Sequence, residues 1–317
     1  MYLCSVVHHY NTATSHYQIQ HLLMKRIASL IVGIAFTAMA ANAQLLWKVE
    51  GNGLKSPSYI FGTHHVAPND MINRVSGLTD ALEEVQAVYG EVNMVDINPM
   101  EMQQMVMPRV MAPADSTLSA MFTPSQLDSI SAVMTTYAGQ PVDVAQMNMF
   151  KPIMLSTQLA MLRSMKVFPG FTPDGQLDTS IQNMAKAAGK DVDGLETFEY
   201  QLGVLYGSSI SEQAADLMTE IRNDSIEVEK ASQLANAYLK GDLDALSSII
   251  FDDPESTPDK LEKLLLVRNR NWASQLPAIM AAKPVLVAVG CGHLPGKEGV
   301  LKLLEDQGFT ITPVTAK

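Results

Sequence analysis

The sequence predicts an α/β fold: a mixed, largely parallel sheet formed by N- and C-terminal segments, with a large helical insertion covering it. Two apolar runs typical of buried strands lie near opposite ends of the chain, at residues 59–61 and 285–289. Residues 59–91 read as strand, helix and strand, the pattern of a βαβ unit with parallel strands. Residues 98–275 have a mainly helical pattern and form the predicted insertion.

The chain begins with segments that we exclude from the fold. Met24 is followed by two basic residues, by an apolar run over residues 27–40, and by Ala41-Asn-Ala43. This order is typical of a signal peptide, and it predicts cleavage between Ala43 and Gln44. The run is shorter than the roughly 20 residues that span a bilayer. We therefore predict a periplasmic or secreted protein that keeps no stable membrane anchor.

This interpretation divides the chain into three parts. Residues 1–23 are a mis-annotated extension upstream of the start, residues 24–43 are the signal peptide, and residues 44–317 are a single domain. Loss of Lys25 and Arg26 changes the net charge from −11 to −13. Such an acidic surface argues against nucleic acid and anionic membranes as partners. The expected partner is a peptide or small-molecule substrate.

The elements follow from apolar periodicity and from capping residues. Thr123, before a proline and three residues before Gln126, predicts a helix start with a capping box. Gly189 predicts a helix end. Thr257, followed by Pro and Asp, predicts a third helix boundary. The predicted strands are residues 45–50, 59–61, 85–91, 190–196, 285–289 and 309–314. The predicted helices are residues 75–84, 123–134, 152–165, 176–188, 211–239, 257–272 and 297–307.

The histidines collect in two similar stretches. Gly62-Thr-His64-His65 and Gly290-Cys-Gly-His293 share the spacing Gly-x-x-His, and each follows a predicted strand. They contain every histidine after residue 43. We predict that folding brings His65 and His293 into one site; the alternative is that both are hydrogen-bonded loop residues. His64 is then either a supporting residue or merely exposed. We expect positive φ at the two glycines, which would let the chain turn sharply.

A third strand end supplies an acid. Glu91 lies at the C-terminal end of the predicted strand at residues 85–91. With His65 and His293 it would form a His₂Glu set that leaves coordination positions open for water and substrate. The predicted cofactor is a divalent metal ion, with Mn, Co and Zn as candidates. Glu91 could instead act as the general base. Glu196 is a second candidate acid, or a helix N-terminal acid that interacts with the helix dipole.

Arg268 lies on an apolar helix stripe with Leu261, Leu264, Leu265 and Trp272. A guanidinium buried there needs a partner, which could be Glu91, Glu196, a substrate carboxylate or a developing oxyanion. The alternative is that its stem extends to the surface. Cys291 could ligate metal or act as a nucleophile, although a small residue in a tight turn is the favoured interpretation. Structural roles are also favoured for the remaining candidates, Asp178, Tyr238 and Asp242.

Six stretches, taken together, resemble the TraB/GumN family, which includes the Tiki proteases and the pheromone-shutdown protein PrgY. They are Phe61-Gly-Thr-His-His-Val66, Tyr89-Gly-Glu91, Gly194-Leu-Glu-Thr197, Tyr238-x-x-Gly-Asp242, Arg268-Asn-x-x-Trp272 and Val289-Gly-Cys-Gly-His-Leu-Pro-Gly296. The resemblance implies a fold like that of the erythromycin esterase and haem-binding ChaN proteins. For Tiki-like members it implies a divalent-metal-dependent protease.

Carried over to this chain, the resemblance makes His65, Glu91 and His293 the metal and catalytic positions, supported by Arg268 and Asn269. The leading functional prediction is therefore an exported metal-dependent hydrolase, with a peptidase as the favoured kind. Two alternatives remain: a non-catalytic protein that sequesters a peptide or haem, and a metal-free esterase with a histidine base. Family membership by itself does not decide among them.

Overall fold

The computed structural model describes residues 45–168, 170–171 and 176–315. The predicted extension and signal peptide lie outside the described residues. The strands are β1 (Leu46–Gly51), β2 (Ser58–Thr63), β3 (Ala87–Gly90), β4 (Asp191–Gly194), β5 (Val285–Gly290) and β6 (Phe309–Pro313). The helices between β2 and β4 are α1 (Met71–Arg74), α2 (Leu78–Glu84), α3 (Pro99–Val110), α4 (Leu118–Met121), α5 (Pro124–Ala138), α6 (Pro152–Val167) and α7 (Leu177–Ala187). Those after β4 are α8 (Phe198–Tyr206), α9 (Ile210–Arg222), α10 (Asp224–Lys240), α11 (Leu243–Phe251), α12 (Pro258–Leu261), α13 (Val267–Ala282) and α14 (Val300–Asp306).

The six strands form one mixed, largely parallel sheet in the order β4-β3-β5-β2-β1-β6, which confirms the predicted fold class. β5 pairs in parallel with both β2 and β3, and β3 pairs in parallel with β4. β1 runs antiparallel to β2 and β6. The predicted βαβ unit is present, but β5 lies between its two strands. The carboxyl ends of β4, β3, β5 and β2 therefore meet at one edge of the sheet.

The centre of the sheet is apolar because helices cover it. All six residues of β2 are buried, as are the first five of β5. Strands buried on both faces are expected to be continuously hydrophobic, as Val285-Leu-Val-Ala-Val289 is. A large core cluster joins these strands to Leu78, Tyr238 and Trp272 on the surrounding helices.

The helical insertion has a second apolar cluster of its own, which includes Leu118, Ile130, Leu155, Leu159 and Leu217. The predicted capping box at Thr123 and Gln126 is present. The predicted helix end at Gly189, where φ is +73°, is also confirmed. Thr257 accepts from the backbone of Lys260, as its predicted capping role requires.

Several helix predictions were wrong in extent. Residues 211–239 are two helices, α9 and α10, which meet at Asn223. Asp224 is the first residue of α10, and its carboxylate accepts hydrogen bonds from the buried Arg163 and from Tyr137. The break between the two helices therefore places a negative charge beside the buried Arg163. Periodicity also missed α3, α8 and α11. The predicted helix over residues 257–272 contains a π-helical turn, Glu262–Leu266, directly before Arg268. Among the residues that the structure describes, no helix has the length and apolar character needed to cross a membrane.

Candidate functional site

Four parallel strands each deliver one polar side chain to the same edge of the sheet. Glu196 follows β4, Glu91 follows β3, His293 follows β5 and His65 follows β2. Ligands of open α/β sheets bind outside the carboxyl ends of the strands, so these side chains occupy the expected position. Glu91 and His293 are buried, whereas His65 is exposed.

Arg268 joins three of these four residues. Its Nη2 donates to Oε2 of Glu91 at 2.5 Å and to Oε1 of Glu196 at 2.7 Å. Its Nη1 donates to the Leu264 carbonyl at 2.9 Å and lies 3.0 Å from Nε2 of His293. Its Nε donates to both oxygens of Glu196. A guanidinium has five N–H groups, and the protein supplies an acceptor for each of them.

Arg268 is buried and is paired with acidic residues, as the sequence predicts for a buried guanidinium. Only 5% of its side chain is exposed, so the stem does not extend to the surface. Burial alone would lower the pKa of Arg268, but the contacts with Glu196 and Glu91 raise it. A direct hydrogen bond from Arg268 to a substrate oxyanion would require release of one of its protein acceptors. Its predicted role as an oxyanion donor stays a prediction.

Glu91 is held as a carboxylate by several donors. The backbone N–H of Gly290 donates to Oε1 at 2.8 Å, and Nε2 of Gln201 donates to Oε2 at 2.8 Å. Burial would raise the pKa of Glu91, but the charges of His65 and Arg268, together with the Gly290 bond, hold it well below its usual value. Glu91 is therefore ionised at neutral pH and is a poor acceptor of a further proton.

His293 is neutral, and its ring is fixed by Asn269. Nδ2 of Asn269 donates to the Glu298 carbonyl at 2.8 Å, which directs Oδ1 of Asn269 to Nδ1 of His293 at 2.6 Å. Nδ1 must then carry the ring proton, because Nε2 accepts from Arg268. Burial is the main cause that lowers the pKa of His293 to about 3. The ring also packs against Trp272, with centroids 4.4 Å apart.

His65 has a different environment from His293. Its Nδ1 lies 3.0 Å from Oδ2 of Asp178, whose Oδ1 accepts from the hydroxyl of Thr63 at 2.5 Å. The Asp178 carboxylate raises the pKa of His65. The His65 side chain is 62% exposed, and in the described part of the chain no hydrogen-bond partner contacts its Nε2. His65 is thus the histidine whose second nitrogen remains available.

Gly62 and Gly290 are needed for close approach rather than for a left-handed backbone. The expectation of positive φ was wrong: φ is −52° at Gly290, and Gly62 is not among the glycines with positive φ. A Cβ on Gly290 would lie 3.1 Å from Oε1 of Glu91. A Cβ on Gly62 would lie 3.1 Å from Cβ of Cys291. The two histidine stretches are therefore packed directly against each other.

The neighbouring residues of the two stretches are largely structural. Half-buried His64 lies between Phe168 and Tyr238, at ring-centroid distances of 4.9 and 5.4 Å. Burial lowers the pKa of His64 to about 4. Burial also raises the pKa of Cys291 to about 12, so its sulfur is a protonated thiol at neutral pH. Tyr238 donates to the Gly62 carbonyl at 3.1 Å, and Asp242 caps α11.

These groups line a cleft of about 320 Å³. Its charged and imidazole groups include His65, Glu91, Arg268 and His293, and four aliphatic side chains also line it, Leu205, Leu234, Ile250 and Leu265. From the sequence, a structural role is favoured for Asp178 and no role is predicted for Gln201. Both project from helices, α7 and α8, that lie over the strand ends. The acid in the first turn of a predicted helix was the one available signal for Asp178.

A metal ion does not fit between the predicted ligands in this arrangement. Nε2 of His293 and both oxygens of Glu91 already accept hydrogen bonds, and two of these bonds come from the Arg268 cation. Within the described residues, no group of three or more His, Cys, Asp or Glu side chains is placed to hold a metal ion. Coordination by His65, Glu91 and His293 would require Arg268 to withdraw. The metal cofactor remains a prediction.

The fold and site define an α/β protein with a charged cleft at the carboxyl edge of its sheet. The TraB/PrgY/gumN family model matches residues 45–313, nearly the whole folded chain, and the chain belongs to this family. The predicted resemblance is thereby confirmed. No curated protein matches the chain, and neither does any solved structure.

Proposed function

We propose that this protein is a hydrolase of acyl bonds, in peptides or in esters, and that His65 transfers the proton. The observation that carries the proposal is the pair formed by His65 and Asp178 at the edge of the cleft. A carboxylate on one imidazole nitrogen orients the ring and leaves the other nitrogen for proton transfer.

The raised pKa of His65 favours its protonated form, so we expect the proposed reaction to become faster as the pH rises through that pKa. In the neutral form, Nε2 of His65 accepts a proton from water as the water oxygen bonds to the substrate carbonyl carbon. The carbon–nitrogen or carbon–oxygen bond then breaks, and His65 returns the proton to the leaving atom. Asp178 stabilises the transient imidazolium. The buried group of Glu91, Glu196 and Arg268 carries one net negative charge, which also favours a cation at His65.

The proposal gives proton transfer to His65 rather than to Glu91, because both oxygens of Glu91 accept hydrogen bonds and its pKa is low. The metal-dependent peptidase implied by family resemblance is a second form of the proposal. It would require Arg268 to leave Glu91 and His293, so chelator sensitivity distinguishes the two forms.

The test uses purified residues 44–317 with ester and peptide libraries, in the presence of EDTA or of added Mn²⁺, Co²⁺ or Zn²⁺. We expect turnover in EDTA, its loss in His65→Gln, and its retention in the neighbouring variant His64→Gln. Thermal unfolding checks that each variant is folded. Undiminished turnover in His65→Gln would overturn the proposal. A Soret band on haem titration, without hydrolysis of any library, would favour the binding alternative.

We also propose that the protein is exported. The support is the order of basic, apolar and small residues over residues 24–43. Expression with the leader, followed by cell fractionation and N-terminal sequencing, should yield a periplasmic or secreted protein that begins at Gln44. Replacement Ala43→Arg should block processing. A cytosolic protein that retains Met24 would contradict the proposal.

A further inference from the structure

Part of the cleft lining is an apolar wall. The wall consists of Leu205 from α8, Leu234 from α10, Ile250 from α11 and Leu265 from the π-helical turn. Each residue comes from a different segment of the helical insertion. Leu205 is 45% exposed, which is a large exposure for a leucine beside a buried polar cluster. Ligand sites typically combine mostly apolar lining with a few placed polar groups.

The wall and the charged groups meet at Gly292. A Cβ on this glycine would lie 3.0 Å from Cδ1 of Ile250 and 3.9 Å from Cδ2 of Leu265. Gly292 directly precedes His293, so the apolar wall begins one residue from the polar cluster. A group that reacts beside His65 and His293 would therefore have its adjacent substituent near Ile250 and Leu265, in the cleft that Leu205 also lines.

We infer that the substrates are acyl compounds with an aliphatic or aromatic group next to the reacting carbonyl, and that Leu205 helps to select them. This inference rests on the proposed hydrolase. The wall offers no charged partner to such a group, because its four residues are leucine or isoleucine. A charged substituent at this place would lose its hydration without compensation. An apolar substituent would gain from burial.

The choice of Leu205 for the test follows from its surroundings. Leu234 and Ile250 also line a neighbouring cleft, so a change in either would alter two cavities. Leu205 belongs to the described cleft and is sufficiently exposed for a polar replacement to leave the core intact. Leu239 on α10 is 38% exposed and lines neither cleft, which makes Leu239→Ser the matched control.

Turnover is measured with p-nitrophenyl esters from acetate to octanoate and with peptides that vary one residue among Ala, Leu, Phe, Ser and Asp. We expect kcat/KM to rise about fourfold for each methylene that becomes buried. This increase of kcat/KM with chain length should be smaller in Leu205→Ser, should be unchanged in Leu239→Ser, and should be restored in Leu205→Met. Esters and peptides form separate arms, so the same series identifies the leaving group that the site accepts.

Binding is measured separately with 2-alkanones, which carry a carbonyl but no leaving group. Affinity that rises with chain length in the wild type and in His65→Gln, but not in Leu205→Ser, supports the inference even if nothing is hydrolysed. In that case the proposed hydrolase would fail and the apolar site would stand. Equal kcat/KM for acetate and octanoate, unchanged in Leu205→Ser, would overturn the inference and leave the hydrolase in place.

Discussion

Arg268 and Glu91 form a buried ion pair of 2.5 Å, although 177 positions separate them in the sequence. The same guanidinium contacts Glu196 and His293, so one side chain holds together the ends of three strands. This pair links the α13 helix to the edge of the sheet. The stability and the ionisation of the site both depend on it.

Replacement Arg268→Met should destabilise the protein by about 3–5 kcal/mol, because Glu91 and Glu196 would remain buried without their cation. The measurement is the free energy of unfolding in urea. Arg270→Met on the same helix is the control. Arg270 is 42% exposed and pairs with Glu262 and Glu298 at the surface, so its loss should have a much smaller effect. Equal losses in the two variants would contradict the buried network.

Replacement Asp178→Asn should lower the pKa of His65 toward 6.5. The folded-state pKa of His65 is raised, so its pairing with Asp178 stabilises the protein fully below about pH 6.5. This contribution is lost as pH rises through the folded pKa. Since 62% of the side chain is exposed, we expect water to reduce the shift.

NMR titration of the His65 ring measures the pKa directly. The acid limb of kcat/KM should move to lower pH in Asp178→Asn, because neutral His65 is the proposed base. Asp128→Asn, an exposed change on α5, should leave both curves unaltered. A His65 that titrates identically in wild type and Asp178→Asn would show that the pair does not form in solution.

Arg268 and a divalent cation should compete for Glu91 and His293. Calorimetric titration with Zn²⁺ and Co²⁺ should therefore show tighter binding to Arg268→Ala than to the wild type. The double variant Arg268→Ala/His293→Ala should lose that gain. Tighter metal binding by the wild type would mean that Arg268 moves aside for the ion, and it would favour the metal-dependent form of the hydrolase.

Replacement Gly290→Ala should disturb Glu91 directly. The added Cβ would lie 3.1 Å from Oε1 of Glu91 and 3.5 Å from Cδ2 of His293. Overpacking of this kind destabilises by about 1–3 kcal/mol, and we expect activity to fall with it. Gly203→Ala on α8 meets no atom within 4 Å and should stabilise by roughly 0.5–1 kcal/mol. Calorimetry should therefore give a Tm below that of the wild type for Gly290→Ala and above it for Gly203→Ala.

The site residues that follow strands could be predicted from the sequence. His65, Glu91 and His293 follow apolar runs, Glu196 follows a predicted strand of mixed composition, and parallel strand ends meet in space. Arg268 was recognisable as a charge on an apolar stripe. Asp178 was only a weak candidate and Gln201 was not one, because their positions depend on how α7 and α8 pack over the sheet. The place of β5 between β2 and β3 likewise depends on pairing across more than 190 positions, which local periodicity does not contain.

The central place of β5 has a consequence for the order in which the protein can form. β2 and β3 emerge early in synthesis but have no direct pairing with each other; each pairs with β5. A nascent chain that ends before residue 285 therefore lacks the strand that unites the sheet, as well as His293 and the backbone donor at Gly290. Folding must wait for these long-range contacts, which favours slow assembly. The polypeptide consequently has no assembled site during most of its translation.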